Sequence, residues 1–108
     1  MGVLVYGGHQ VIEFEDRLLA HLQIVAGLKL RRREGFYLTW REDTNAGSGR
    51  VTIWVDPALP LMFRYEEGAA LSINREWLES LTLASNSARG LVVTEETAHL
   101  TTESAEAF

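Results

Sequence analysis

The stretch DRLLAHLQIVAGLKLRRREGFYLTWR, residues 16–41, decides the fold class because its periodicity changes along its length. In the first part, apolar side chains recur every three or four residues, which predicts a helix with Asp16 as its N-cap, running to about Lys29 or Arg31. In residues 36–41, apolar and polar side chains alternate, which predicts a half-buried strand. A long helix followed at once by an alternating strand indicates an α+β chain.

A hairpin precedes this stretch. Val3–Tyr6 and Gln10–Phe14 are apolar segments on either side of Gly7-Gly8, residues that adopt positive φ at little steric cost. A loop of two residues would place Val3 and Val5 on the face of Ile12 and Phe14, and a loop of three would place Leu4 and Tyr6 there. The three-residue loop is preferred because it gathers the bulkier side chains.

Two further strands and a second helix follow. Residues 50–55 and 61–66 are predicted to continue residues 36–41 as an antiparallel meander. Asn74 is placed to cap a second helix, with Gly90 as its left-handed C-terminal cap, and residues 91–94 predict a short last strand. The expected order is ββαβββαβ, an antiparallel sheet with two helices packed on it.

Charge and composition divide the 108 residues into a domain and a tail. The formal net charge is −5, but residues 95–108 hold four Glu and no Lys or Arg, so residues 1–94 carry −1. Residues 1–94 are therefore predicted to form one domain, and residues 95–108 an acidic, flexible C-terminal tail. The chain has no Cys and no uninterrupted apolar run of membrane-spanning length, so a cytoplasmic location without membrane binding is expected.

Groups for covalent chemistry are scarce. The histidines His9, His21 and His99 show none of the spacings typical of metal sites, and no nucleophile motif accompanies them. We therefore expect no metal, no cofactor and no catalytic residue. A non-enzymatic role is favoured, and a small enzyme stays open as the third hypothesis. His21 is expected to face water, together with Arg17 and Gln23, on the polar side of the first helix.

Arginines and aromatic residues are the best functional lead in the sequence. Arginine side chains can bind phosphate, and aromatic rings can stack on bases, as in proteins that hold single-stranded nucleic acid. Aromatics such as Trp40 and Trp54 in alternating strands can equally belong to the core. The candidate nucleic-acid-binding residues are Arg31, Arg32, Arg33, Arg41, Arg50, Arg64 and Tyr37.

A second apolar strip on the first helix indicates a protein contact instead. Ala20, Ile24 and Leu28 lie on the side away from the main stripe, and they predict an interface with a second copy or with another protein. The leading interpretation is a small non-enzymatic interaction domain, either a homodimer or a protein-docking module. The alternative is an accessory protein that binds nucleic acid.

Several stretches of residues 1–94 together form a specific pattern: Asp16 to Val25, Lys29 to Arg32, Gly49-Arg50 through Ile53-Trp54, Pro57 with Pro60-Leu61, Ile73 to Arg75 with Trp77, Asn86-Ser87 and Gly90-Leu91. In this pattern the chain resembles a family of short actinobacterial proteins of unknown function that are often labelled "ATP-dependent DNA ligase" by automatic pipelines. The resemblance implies a shared fold and brings no established activity or catalytic residues.

Ligase activity itself does not fit the sequence. Nucleotidyl transfer requires a lysine in a KxDG-type loop, metal-binding carboxylates and a second domain that closes over DNA. Lys29 is the only lysine, and Leu30-Arg31-Arg32 follows it. A complete DNA ligase is therefore not expected in 108 residues.

Overall fold

The computed structural model describes residues 1–44, 47–68, 71–96 and 102–104. These residues form an α+β fold with two helices and small, mostly antiparallel sheets, which confirms the predicted fold class. The sheets have the strand orders β2-β1-β5, β4-β3-β7 and β6-β8. The elements are β1 (Gly2–Tyr6), β2 (Gln10–Phe14), α1 (Asp16–Arg31), β3 (Phe36–Thr44), β4 (Gly47–Val55), β5 (Leu61–Arg64), β6 (Ser72–Asn74), α2 (Arg75–Ser85), β7 (Leu91–Val92) and β8 (Thr102–Ser104).

The first hairpin has the preferred register. Leu4 pairs with Ile12 and Tyr6 pairs with Gln10, so three residues form the loop. Gly7 and Gly8 in this loop have φ angles of 67° and 86°, which glycine adopts without a Cβ clash. The bulky side chains of the hairpin therefore share the face that packs on α1.

The predicted meander is wrong in its third strand. β3 and β4 pair antiparallel along nine residues, but β5 pairs with β1, where Leu4 lies opposite Phe63. The chain crosses from one sheet to the other after β4, and the N–H of Gly7 donates to the carbonyl of Pro60 at 3.0 Å. This pairing buries the inward side of β5 against the same core as β1.

Three short strands complete the sheets. β7, predicted from its apolar residues, runs parallel to β3, with Leu38 opposite Leu91. β6 and β8 pair antiparallel and were not predicted, since each has only three residues. β8 lies inside the predicted tail, whose residues 97–101 and 105–108 lie outside the described residues. The flexibility of that tail stays a prediction.

The first helix has the predicted extent but a different N-cap. Glu15 occupies the cap position without a side-chain cap bond, and Asp16 is the first helical residue. The carboxylate of Asp16 instead accepts hydrogen bonds from the backbone N–H groups of Glu67, at 2.8 Å, and Glu66, at 3.3 Å. These bonds lower the pKa of Asp16, that from Glu67 most strongly. Asp16 therefore fastens a distant loop to the start of α1.

The second helix begins as predicted. Asn74 is its N-cap, and its Oδ1 accepts a 3.1 Å hydrogen bond from the N–H of Trp77. The helix ends earlier than expected, with Asn86 as C-cap. Gly90 has the expected left-handed φ, 82°, but lies at the entry to β7.

Candidate interaction surface

His21 is fully buried, so its predicted exposure to water is wrong. Its Nδ1 lies 2.7 Å from the carbonyl oxygen of Arg17, and its Nε2 accepts a 2.9 Å hydrogen bond from the N–H of Asn74. Because a carbonyl can only accept, Nδ1 carries a proton, and because Nε2 accepts from an N–H, it carries none. The ring is therefore neutral. Burial is the main cause that lowers the pKa of His21. The ring is engaged at both nitrogens with backbone groups, which favours a structural role.

Next to this histidine, a polar network joins α1, β6 and the end of the domain. The carboxylate of Glu96 accepts 2.7 Å hydrogen bonds from Nε and Nη2 of Arg17 and a 2.9 Å hydrogen bond from Nδ2 of Asn74. Nη1 of Arg17 also donates to the carbonyl of Ser72, at 2.8 Å. The hydrogen bonds to Glu96 and its negative charge raise the pKa of Arg17, against the opposing effect of partial burial. The sequence placed Glu96 in a flexible tail, and no local pattern reveals this contact.

A cleft of about 830 Å³ opens beside the network. Arg17, Trp77 and Glu96 line it, whereas His21 does not. The buried indole N–H of Trp77 has no hydrogen-bond partner among the residues that the structure describes. Among the described residues, no group of three or more His, Cys, Asp or Glu could hold a metal ion. The cleft therefore presents the charged groups of Arg17 and Glu96 and the indole ring of Trp77 to any molecule that enters it.

The outer side of the β3–β4 hairpin is more open. Strand alternation places Phe36, Leu38 and Trp40 in the core. On the opposite side of β3, Tyr37 and Arg41 are exposed, whereas Thr39 between them is only 6% exposed. We call this outer side the hairpin face. In pairs across the two strands, it consists of Tyr37 and Trp54, Thr39 and Thr52, and Arg41 and Arg50.

Two aromatic rings form one end of the hairpin face. Tyr37 is 46% exposed and Trp54 is 47% exposed. Their ring centroids are 5.0 Å apart, with the planes at 70°, an edge-to-face contact. Large aromatic side chains on the outside of a small domain are available for a partner.

Two arginines form the other end. Arg41 and Arg50 are exposed cross-strand partners. Within the described residues, neither side chain is in an ion pair. Two like charges directly opposite each other are unfavourable in an antiparallel pair, so an anionic partner would relieve their repulsion. Between the two ends, the hydroxyls of Thr39 and Thr52 are hydrogen bonded at 2.7 Å.

The structure brings together only part of the predicted arginine and aromatic set. Tyr37, Arg41 and Arg50 share the hairpin face, and Trp54 joins them through the strand register. Arg64 lies on β5, in the other three-stranded sheet. The exposed residues Arg31, Arg32 and Arg33 lie at the end of α1 and in the turn that follows.

The predicted apolar strip on α1 is only partly at the surface. Ala20 is 7% exposed and belongs to the core of the chain. Ile24 is partly buried against that core, and Leu28 is 39% exposed. The strip therefore offers a small apolar area, and its role as an interface stays a prediction.

Together, the two helices, the small sheets and the open hairpin face define a small α+β domain with a candidate recognition surface. The chain belongs to the family described as Domain of unknown function (DUF7882), whose model matches residues 1–96. This confirms that the family is an uncharacterised one. No curated protein and no solved structure gives a significant match. In the part of the chain that is described, no helix has the length and apolar character to cross a membrane.

Proposed function

We infer that the chain is a non-enzymatic interaction domain that docks a partner protein on the hairpin face. The observation that carries this is the exposed pair of Tyr37 and Trp54 on the same face as the exposed cross-strand arginines Arg41 and Arg50. Trp, Tyr and Arg are the residue types in which binding energy concentrates at protein interfaces. The four side chains lie on one face of the β3–β4 hairpin, and exposed aromatic patches of this kind mark interaction sites.

The chemistry of the hairpin face specifies the kind of partner. Acidic side chains would pair with Arg41 and Arg50, which have no acidic partner among the described residues. An apolar or aromatic group would cover the rings of Tyr37 and Trp54. The partner is therefore a protein segment with an acidic end and an apolar end, separated by about 13 Å, the length of four strand residues.

Photo-crosslinking in native cell lysate tests this function. Thr52 lies exposed between the two ends, so a photoreactive benzophenone amino acid at this position reports on whatever covers the face. We expect a protein adduct that resists nuclease and disappears when Arg41→Glu and Arg50→Glu are added. The absence of an adduct, or an adduct of the same yield in the Arg41→Glu with Arg50→Glu variant, would contradict protein docking on this face.

Binding of single-stranded nucleic acid is the second candidate, favoured by one observation. The like-charged pair Arg41 and Arg50 lies on the same face as the aromatic rings, so phosphates and a stacked base of one strand could be held together. Anisotropy of a labelled oligothymidylate at low and high salt tests it. Binding that weakens steeply with salt and is lost in Arg41→Ala with Arg50→Ala supports this candidate. No binding at low salt removes it.

Other expectations from the sequence remain proposals. A homodimer through Ala20, Ile24 and Leu28 and a cytoplasmic location are among them. The ligase label gains no support from Lys29, whose ammonium group donates to Oδ1 of Asn86 at 2.9 Å and lies 3.6 Å from the carboxylate of Glu34. These contacts give Lys29 a structural role, because they connect the C-terminal ends of α1 and α2.

A further inference from the structure

The outer side of the β2-β1-β5 sheet carries an apolar row beside a charged row. The register places Val11, Val5 and Met62 side by side across the three strands. Val11 is 58% exposed and Met62 is 48% exposed. Two residues further along the strands, Glu13, Val3 and Arg64 form the next row. We call these two rows the paired-row face.

The charges of the paired-row face lie at opposite edges of the sheet. Glu13 is on β2 and Arg64 is on β5, and Val3 of the central strand separates them. Two strand spacings amount to about 9.6 Å between backbones. The guanidinium of Arg64 lies 3.8 Å from Sδ of Met62, on the same side of the sheet as the apolar row. Within the described residues, Glu13 and Arg64 form no ion pair.

This arrangement is complementary to itself. A two-fold axis parallel to β1, in the plane between two facing sheets, exchanges the β2 and β5 edges of the two copies. Glu13 of each copy then lies opposite Arg64 of the other, and Val11 lies opposite Met62. Val3 and Val5 on the central strand meet their own counterparts. The two-fold axis therefore forms two Glu13–Arg64 ion pairs between the copies and packs the apolar row of one copy against that of the other.

We propose that the paired-row face is a homodimer interface in which two copies of the chain pack sheet on sheet. Facing sheets pack about 10 Å apart, a spacing that valine and methionine side chains fill. The face is small, roughly 14 by 17 Å from strand spacing and rise. This area lies below the roughly 800 Å² per partner of a standard interface, so the dimer is weak. It is independent of docking on the hairpin face, which belongs to the other three-stranded sheet.

Charge exchange on the full chain tests the interface. Sedimentation equilibrium between about 10 μM and 1 mM should show a monomer and dimer in exchange. Glu13→Arg alone and Arg64→Glu alone should each weaken dimerisation about tenfold or more, because each places like charges opposite each other at two points. The double variant Glu13→Arg with Arg64→Glu should restore the wild-type constant within about threefold. The double variant has the net charge of the wild type, so recovery of dimerisation would show that Glu13 and Arg64 pair with each other across the interface.

The control is Glu79→Arg, which makes the same charge change on the exposed side of α2 and should leave dimerisation unchanged. Equal urea midpoints for all variants show that the fold is intact. A monomer at every concentration overturns the proposal. A double variant that stays monomeric also overturns it. The same holds if Ile24→Glu weakens dimerisation and Glu13→Arg does not. None of these outcomes bears on the adducts from Thr52 that test partner docking.

Discussion

Nε2 of His21 accepts a 2.9 Å hydrogen bond from the backbone N–H of Asn74, the residue whose side chain caps α2. Through Nδ1, the same ring is held by the carbonyl of Arg17, one turn earlier in α1. The imidazole thus fixes the start of α2 against α1 and packs on Trp77, with ring centroids 4.6 Å apart. Its neutral form is required, because a protonated Nε2 would present a second donor to the N–H of Asn74.

The neutral state of His21 makes stability depend on pH. Burial lowers the pKa of His21 in the folded chain, so the unfolded chain binds the proton more readily. The contribution of His21 is fully present above the unfolded pKa of about 6.5 and is lost as pH falls below it. Urea unfolding should show a loss on the order of 1 kcal/mol between pH 7.5 and pH 5.5.

A variant series isolates this effect from the other titrating groups. His21→Gln should be less stable than wild type at pH 7.5 and should show a smaller change between the two pH values. The exposed His9 provides the control, and His9→Gln should keep the wild-type pH dependence. A wild-type pH dependence in His21→Gln would contradict the neutral, buried assignment.

The carboxylate of Glu96 should contribute to stability through Arg17 and Asn74. Its hydrogen bonds to these side chains are 2.7 to 2.9 Å long, but the ion pair is partly exposed, with 28% of the Glu96 side chain accessible. Glu96→Gln should therefore lower the free energy of unfolding by only about 1 kcal/mol. The neighbouring exposed Glu95 gives the control, Glu95→Gln, which should have no effect. Equal losses in both variants would show that the network is not responsible.

Gly90 should be intolerant of any side chain. Its φ is 82°, and a Cβ atom there would lie 2.5 Å from Cβ of Tyr37 and 2.6 Å from its carbonyl oxygen. Gly90→Ala should therefore cost about 3 kcal/mol, from backbone strain and from the displacement of β3. Gly8 also has positive φ, but a Cβ there meets nothing within 4 Å, so Gly8→Ala should cost about 1 kcal/mol. Thermal unfolding of both variants measures the difference, and equal losses would refute the close approach to β3.

The hydroxyl of Tyr6 should hold the two three-stranded sheets together. It donates to the carbonyl of Trp54 and accepts from the N–H of Asp56, so one oxygen joins β1 to the end of β4. Tyr6→Phe should lower the free energy of unfolding by about 1 to 2 kcal/mol. The hydroxyl of Tyr37 makes no hydrogen bond within the described residues, so Tyr37→Phe should be neutral. Chemical denaturation of both variants decides, and a neutral Tyr6→Phe would be inconsistent with this link.

Local patterns predicted those parts of the fold that depend on neighbouring residues. The Gly7-Gly8 turn and the alternation of bulky residues fixed the register of the first hairpin, and Asn74 marked the start of α2. The pairing of β5 with β1 was missed, because a strand pattern does not specify which distant strand it meets. The Asp16 side chain resembled an N-cap in sequence, but its bonds go to a loop about 50 residues away.

The candidate site was predictable in the same uneven way. Alternation in residues 36–41 placed Tyr37 and Arg41 on one side of a strand, and the structure adds Arg50 and Trp54 by pairing β3 with β4. Arg64 went to the other sheet, since β5 did not join that hairpin. His21 was expected in water because a polar residue on a helix usually faces solvent, and its two backbone partners become visible only in three dimensions.

The most direct test of the interaction domain compares two crosslinking positions in the same lysate. One photoreactive residue replaces Thr52 on the hairpin face, and the other replaces Glu79 on the exposed side of α2. Docking on the hairpin face predicts a discrete, nuclease-resistant protein adduct from position 52 and none from position 79, with loss of the adduct in Arg41→Glu with Arg50→Glu. The same adducts from both positions, or none from position 52, would contradict it.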